Sequence, residues 1–255
     1  MWQWHRLAFV NPRGLNLSGL VYSPSLRPQE PQPIVVVCHG FTGSKEGQGR
    51  ALAMAETLAQ ETGWASLLFD FAGNGESEGE FHDLTLSGQI ADLTAAVDQA
   101  LLLGYGPVVT LGRSFGGTTA LCQAAADPRV RAVCTWSAVA FPRRNFPRER
   151  ARPYTGDLLI WDSILGVRVY LREEFFADLT RYDVLDCTRR LSPRPLLLCH
   201  GDQDQVVPVD DVYALWEAAG EPKELLVVPG ADHSYTQHYR VVWDTFFRWI
   251  KQLGL

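Results

Sequence analysis

The run Leu111-Gly112-Arg113-Ser114-Phe115-Gly116-Gly117 sets one serine between glycines two residues to either side. A hydroxyl becomes a strong nucleophile when it is lifted clear of its neighbours and a base stands within hydrogen-bond reach. The G-x-S-x-G spacing meets the first condition where a strand turns sharply into a helix. Here a short apolar run at 108–111 precedes the serine and a helical pattern begins at about 115. Side chains in place of Gly112 and Gly116 would collide with the adjoining strand and helix. The helix beyond Ser114 aims its amides and dipole at the hydroxyl, which favours negative charge developing there.

In folds that use such an elbow, an acid and then a histidine follow the serine along the chain. His200, His233 and His238 lie downstream. His200 adjoins Gly201 at a strand end and reads as structural, and His238 opens the final helical pattern and reads as solvent-facing. His233 sits in Pro229-Gly230-Ala231-Asp232-His233-Ser234, a loop between the last strand and the last helix, and is the expected base. For the acid, Asp202 and Asp204 both follow the strand at 196–199. Asp204 is favoured because a carboxylate three residues beyond Gly201 can turn back toward the histidine, whereas Asp202 is better placed to brace the loop through backbone N–H groups. Asp232 adjoins His233, but neighbouring side chains point apart.

Acyl transfer also needs two preorganised donors for the alkoxide. The backbone N–H of Phe115 is one. The loop His39-Gly40-Phe41-Thr42-Gly43 offers the other, the N–H of Phe41, with Gly40 permitting close approach and His39 expected to fix the loop.

These residues need a scaffold that gathers four loops at one edge. Ile34-Val35-Val36-Val37-Cys38 is apolar throughout, as suits a strand buried on both faces of a parallel sheet. Similar runs lie at 64–69, 108–111, 130–136, 196–199 and 225–228, separated by helical patterns at about 47–61, 84–103, 115–126, 209–219 and 238–252. This alternation predicts an α/β fold, a mostly parallel sheet with helices on both faces. Residues 6–22, turning at Asn11-Pro12-Arg13-Gly14, predict a leading hairpin, and 24–33 a proline-rich connector. The rhythm breaks between Ser137 and Arg190, about fifty residues rich in Arg, Pro and aromatics. A long insertion at the C-terminal edge of such a sheet is where ligands bind, so 138–190 is expected to be a lid. Its arginines, Arg143, Arg144, Arg148, Arg150 and Arg152, read first as a solvated face and, more sharply, as a means of recruiting a carboxylate or phosphate.

Twenty-three basic against 29 acidic residues, a formal charge of −6, argue against nucleic-acid binding, which needs a basic face. The five cysteines include no C-x-x-C and no clustered Cys/His set, so no metal and no cofactor is expected and the thiols read as reduced core residues. No apolar run approaches the roughly 18 residues of a membrane span, and Met1-Trp2-Gln3-Trp4-His5-Arg6 lacks the pattern of a signal peptide. A single cytoplasmic domain over 1–255, monomer or homodimer, is expected.

Taken in order, the 39–43 loop, Phe69-Asp70-Phe71-Ala72-Gly73-Asn74-Gly75-Glu76-Ser77-Glu78-Gly79, the serine elbow, His200-Gly201-Asp202-Gln203-Asp204 and Gly230-Ala231-Asp232-His233 resemble the bacterial carboxylesterases of the α/β-hydrolase superfamily. Within these they look most like feruloyl (cinnamoyl) esterases, with monoacylglycerol lipases and serine aminopeptidase-like hydrolases as relations. The resemblance spans the chain apart from the insertion. It puts Ser114, Asp204 and His233 on the triad positions and Phe41 and Phe115 on the oxyanion positions. It also implies a bracing role for Asp70, Gly73, Gly75 and Ser77. Arg113 departs from it, since relatives often carry His or Glu before the nucleophile. The expected activity is hydrolysis of small carboxylic esters, with aromatic or short-to-medium acyl groups. The alternatives are an aminopeptidase or amidase of the same fold, and a binding protein that keeps the fold without turnover. A dehalogenase would need a carboxylate where Ser114 stands.

Overall fold

The computed structural model describes residues 1–162 and 166–255. The chain opens with the hairpin β1 (Gln3–Val10) and β2 (Asn16–Ser23), paired antiparallel from Gln3↔Ser23 to Val10↔Asn16. There follow β3 (Gln32–Cys38), α1 (Arg50–Thr62), β4 (Ala65–Phe69), α2 (Leu86–Leu102), β5 (Tyr105–Arg113), α3 (Phe115–Ala126) and β6 (Val130–Trp136). The interrupting segment holds α4 (Pro142–Asn145), β7 (Arg152–Pro153), β8 (Leu158–Asp162), β9 (Arg168–Arg172), α5 (Glu173–Leu179) and α6 (Val184–Arg189). The chain closes with β10 (Leu196–Gly201), α7 (Asp210–Ala218), β11 (Lys223–Val228) and α8 (Tyr239–Gln252).

Eight strands form one sheet in the order β1-β2-β4-β3-β5-β6-β10-β11. From β4 to β11 every neighbouring pair is parallel. Alternation along the strands sends side chains to two separate apolar layers. Ile34, Val36, Cys38 and Val108 join the layer that α2, α3, α6 and α7 cover with Leu93, Leu121, Val184 and Leu215. Val35, Val109 and Leu111 join the opposite layer, covered by α1 and α8 through Met54, Leu58, Phe246 and Ile250. With both faces covered, the strands have no polar face to show, which is why they read as unbroken apolar runs.

In α8, Val242, Trp243, Phe246, Phe247, Trp249 and Ile250 are buried, so one stripe of the helix carries its contacts. At α2 the Thr85 hydroxyl caps the N-terminus by accepting from Gly88 N–H at 3.0 Å.

The insertion builds its own three-stranded antiparallel sheet, β7-β8-β9, which sequence periodicity did not reveal. Its apolar residues, among them Leu159, Trp161, Leu171, Phe175 and Phe176, pack with Phe115 of α3 and with Leu84 and Leu86 into a third cluster. α6 packs with the main core instead, through Val184 and Cys187, although the sequence reading gave it to the insertion. No helix among the described residues is long and apolar enough to cross a membrane.

The loop after β4 is pinned by a buried ion pair. Asp70 and Lys45 have fully buried and 1% exposed side chains and meet at 2.6 Å. The Asp70 carboxylate also accepts from the backbone N–H of Lys45 and Glu76, and the Ser77 hydroxyl donates to the Asp70 carbonyl. The bracing role implied for Asp70 and Ser77 is thus physical. Asp70→Ala removes the buried partner and leaves the Lys45 ammonium to the more exposed Glu46 and Glu76 carboxylates, and is expected to cost about 1–3 kcal/mol, measured by urea denaturation. An unchanged midpoint would refute the pinning.

Candidate active site

Parallel strands deliver their C-terminal ends to one edge, so the loops after β3, β5, β10 and β11 converge there. The elbow is the tightest of these. Ser114 has φ 55° and ψ −125°, a sparsely populated region for a residue with a side chain, and such positions cost about 1–3 kcal/mol. Hydrogen bonds on both sides hold it: its N–H donates to the Trp136 carbonyl at 2.8 Å, and its carbonyl accepts from Gly117 N–H at 2.8 Å. A Cβ on Gly112 would stand 2.3 Å from the Gly116 carbonyl oxygen, and one on Gly116 would stand 2.2 Å from the His39 carbonyl oxygen. Both glycines are required by close backbone approach, as the spacing implied.

Asp204, His233 and Ser114 are brought together. Asp204 Oδ2 lies 2.7 Å from His233 Nδ1, and His233 Nε2 lies 3.1 Å from Ser114 Oγ. An ionised carboxylate only accepts, so Nδ1 carries the proton and Nε2 is left with its lone pair toward the hydroxyl. The other carboxylate oxygen accepts from Val206 and Val207 N–H, both at 2.8 Å. Burial pushes the Asp204 carboxyl upward, but the hydrogen bonds from His200, His233 and the Val207 N–H outweigh it. The result is an acid held well below the usual carboxylate range.

The supporting residues fall as their loops demand. Asp202 accepts from Gly230 N–H at 2.7 Å and ties the β10 loop to the β11 loop. His200 donates from Nε2 to the Val207 carbonyl at 3.0 Å, holding the acid's loop. Asp232 accepts from Ser234 and Thr236 N–H and does not engage the imidazole. His238 precedes α8 and is half-buried, less open than its expected solvent-facing position.

His39 accepts from Phe71 N–H at Nε2 (3.1 Å) and donates from Nδ1 to the Gly40 carbonyl at 2.8 Å, and burial lowers its pKa, so it is a neutral loop-fixing group. That loop lies against the nucleophile, since a Cβ on Gly40 would stand 3.4 Å from Ser114 Cβ. Phe41 follows in the loop, and Phe115 is the first residue of α3.

A cavity of about 750 Å³ opens at Ser114 and His233, with Phe41, Phe146, Val139 and Trp161 among its lining residues. The Phe41 ring lies 4.8 Å from Phe146, 5.3 Å from Phe81 and 5.9 Å from Phe115. The sequence reading saw aromatics in the insertion but not that they pack onto the 39–43 loop. It also missed Tyr235, whose hydroxyl meets Ser137 Oγ at 3.0 Å beneath the histidine loop, joining two residues with φ of 51° and 53°.

The insertion arginines are largely neutralised. Arg148 pairs with Glu173, Arg152 with Asp162, and Arg144 with the buried Asp211. Arg143 and Arg150 are exposed. Among the described residues no group of three or more His, Cys, Asp or Glu side chains is placed to hold a metal ion.

The α/β-hydrolase fold family model matches residues 33–156. A polyketide transferase, ATR5 of Stachybotrys chlorohalonatus, is 35% identical over 270 residues that cover 86% of this chain and 86% of its own. The chain belongs to the α/β-hydrolase fold family. Among solved structures it is similar to Est1E from Butyrivibrio proteoclasticus with ferulic acid bound, at 25% identity over 97% of this chain and 99% of that one, with a TM-score of 0.82. It is likewise similar to the esterase domain of a Rhodothermus marinus protein, at 27% identity over 98% of each chain, with a TM-score of 0.78.

A carboxyl whose folded pKa lies below its unfolded value stabilises the fold above the unfolded value and loses that contribution as pH falls. Asp204 should therefore stabilise the protein at and above about pH 4 and progressively less below it. Asp204→Asn is expected to flatten the fall of the melting temperature over that acid window. A slope equal to wild type would show that the carboxylate is not held in its ionised form.

Proposed function

We propose that this chain hydrolyses carboxylic esters through an acyl-enzyme formed on Ser114, with His233 as general base and Asp204 orienting it. The observation that carries this is the unbroken run of hydrogen bonds from Asp204 through His233 to Ser114, at 2.7 and 3.1 Å. His233 Nε2 takes the hydroxyl proton as Oγ attacks the ester carbonyl, and Asp204 stabilises the imidazolium. The backbone N–H groups of Phe41 and Phe115 receive the developing oxyanion, a role supported by the loop's contact with Ser114 and by the start of α3 beside it. The imidazolium then protonates the leaving alcohol, and water repeats the sequence on the acyl-enzyme.

The chain works as one domain, with 138–190 apart from α6 as its lid over the cavity. The aromatic wall of Phe41, Phe146 and Trp161 favours esters with an apolar or aromatic group, and the Est1E likeness, with ferulic acid bound in that protein, supports the same class.

A second reading, transfer of the acyl group to an acceptor other than water, is favoured by the relative called a polyketide transferase. Both share the first half-reaction and part at the acyl-enzyme, so product analysis with a competing alcohol separates them.

Ser114→Ala is expected to lower turnover of p-nitrophenyl esters by at least about 10³-fold and to abolish labelling by a fluorophosphonate probe. Wild-type turnover in that variant would end the assignment.

A further inference from the structure

Two guanidinium groups line the same cavity as the aromatic cluster. Arg113 comes from the last position of β5, one residue before the proposed nucleophile, and Arg50 opens α1. Both line the cavity that holds Ser114 and His233. They converge on one residue: Arg113 Nη2 donates to Ser234 Oγ at 2.8 Å and more weakly to the His233 carbonyl at 3.4 Å, while Arg50 Nη1 donates to the Ser234 carbonyl at 3.0 Å. Arg50 also lies over the Tyr239 ring, 5.2 Å from its centre.

Their state of pairing sets them apart. Arg144, Arg148, Arg152, Arg168 and Arg172 of the insertion each reach a carboxylate. Neither Arg50 nor Arg113 forms an ion pair among the described residues. Each guanidinium has five N–H donors, and the hydrogen bonds to Ser234 and His233 engage one terminal nitrogen of each. Arg113 is half-buried, so its charge has given up part of its hydration without a direct salt bridge among the described residues. Burial, together with the like charge of Arg50, presses its pKa below the usual arginine range against the opposing pull of Tyr235, Asp204 and Asp232. In a chain of formal charge −6, two guanidinium groups that form no salt bridge among the described residues and line one cavity with Ser114 stand out as a local concentration of positive charge.

We propose that Arg50 and Arg113 form an anion-recognising wall of this cavity, so that the preferred esters carry a negatively charged group held there while the ester carbonyl lies at Ser114. This rests on the esterase reading above and narrows its substrate class. The unengaged donors point to charge-assisted hydrogen bonds with a carboxylate-like group. The aromatic wall and the cationic wall then select an ester that is apolar at one end and anionic at the other.

The test compares matched esters whose hydrolysis is followed by the released phenol. The p-nitrophenyl half-ester of adipic acid against p-nitrophenyl hexanoate places a carboxylate on the acyl side. Acetoxybenzoate substituted at the 4-position, against its methyl ester, places one on the alcohol side. In at least one pair the kcat/KM ratio of charged to neutral ester is expected to be about tenfold higher in wild type than in Arg50→Gln, with Arg50→Lys in between. The wild-type ratio should also fall as salt is raised from about 20 to about 300 mM. Arg50 is exposed, so the substitution removes the charge without opening the core.

Ratios that are the same in wild type and Arg50→Gln for both pairs, or that do not respond to salt, overturn the proposal. Fluorophosphonate labelling of Ser114 keeps the two readings apart. Labelling with no charge preference removes the anion wall alone, and absence of labelling removes the esterase reading itself.

Discussion

The backbone crowding where β5 turns into α3 is the constraint on which the rest of the site depends. Three stretches of main chain, at Gly112, at Gly116 and at His39, approach too closely to admit a Cβ at either glycine. That approach goes with a strained positive φ at Ser114, and its hydrogen bonds to Trp136 and Gly117 hold it there. Packing of this kind is rigid, because relieving the strain at one residue means displacing a strand and a helix that are both buried. The 39–43 loop then has one place to go, and the cavity takes its shape from it.

The histidine loop needs separate fixing, since it hangs from β11 at the edge of the sheet. Asp202 ties it to the β10 loop, Tyr235 anchors it on Ser137, and Arg113 and Arg50 grip Ser234. Asp204 is locked by two backbone N–H groups before it meets the imidazole. Each of the three converging side chains is thus oriented by contacts made before any ligand arrives, the physical meaning of preorganisation.

The parallel sheet was legible because strands buried on both faces must be apolar throughout, as in Ile34-Val35-Val36-Val37-Cys38. The convergence of Ser114, Asp204 and His233 was legible for a related reason: in such a sheet the residues just past strand ends share one edge, so order and spacing alone narrow the candidates. The insertion was not. β7 has two residues, and β8 and β9 are short and mix exposed with buried positions, leaving too little periodicity to read. Contacts such as Arg50 with Ser234 join residues far apart in sequence and have no local signature. The pairing of the arginine-rich stretch has no signature in composition, because its partners Glu173, Asp162 and Asp211 lie on other elements.

Phe115 belongs at once to the helix that begins at the elbow and to the apolar cluster beneath β8 and β9, and Phe41 bridges the same cluster to the 39–43 loop. The insertion is therefore not a detachable module. Grafting another protein's insertion onto this scaffold would mean re-cutting two aromatic side chains whose own backbone flanks the serine. Divergence in this region has to proceed by coordinated exchange rather than by replacement of a cassette.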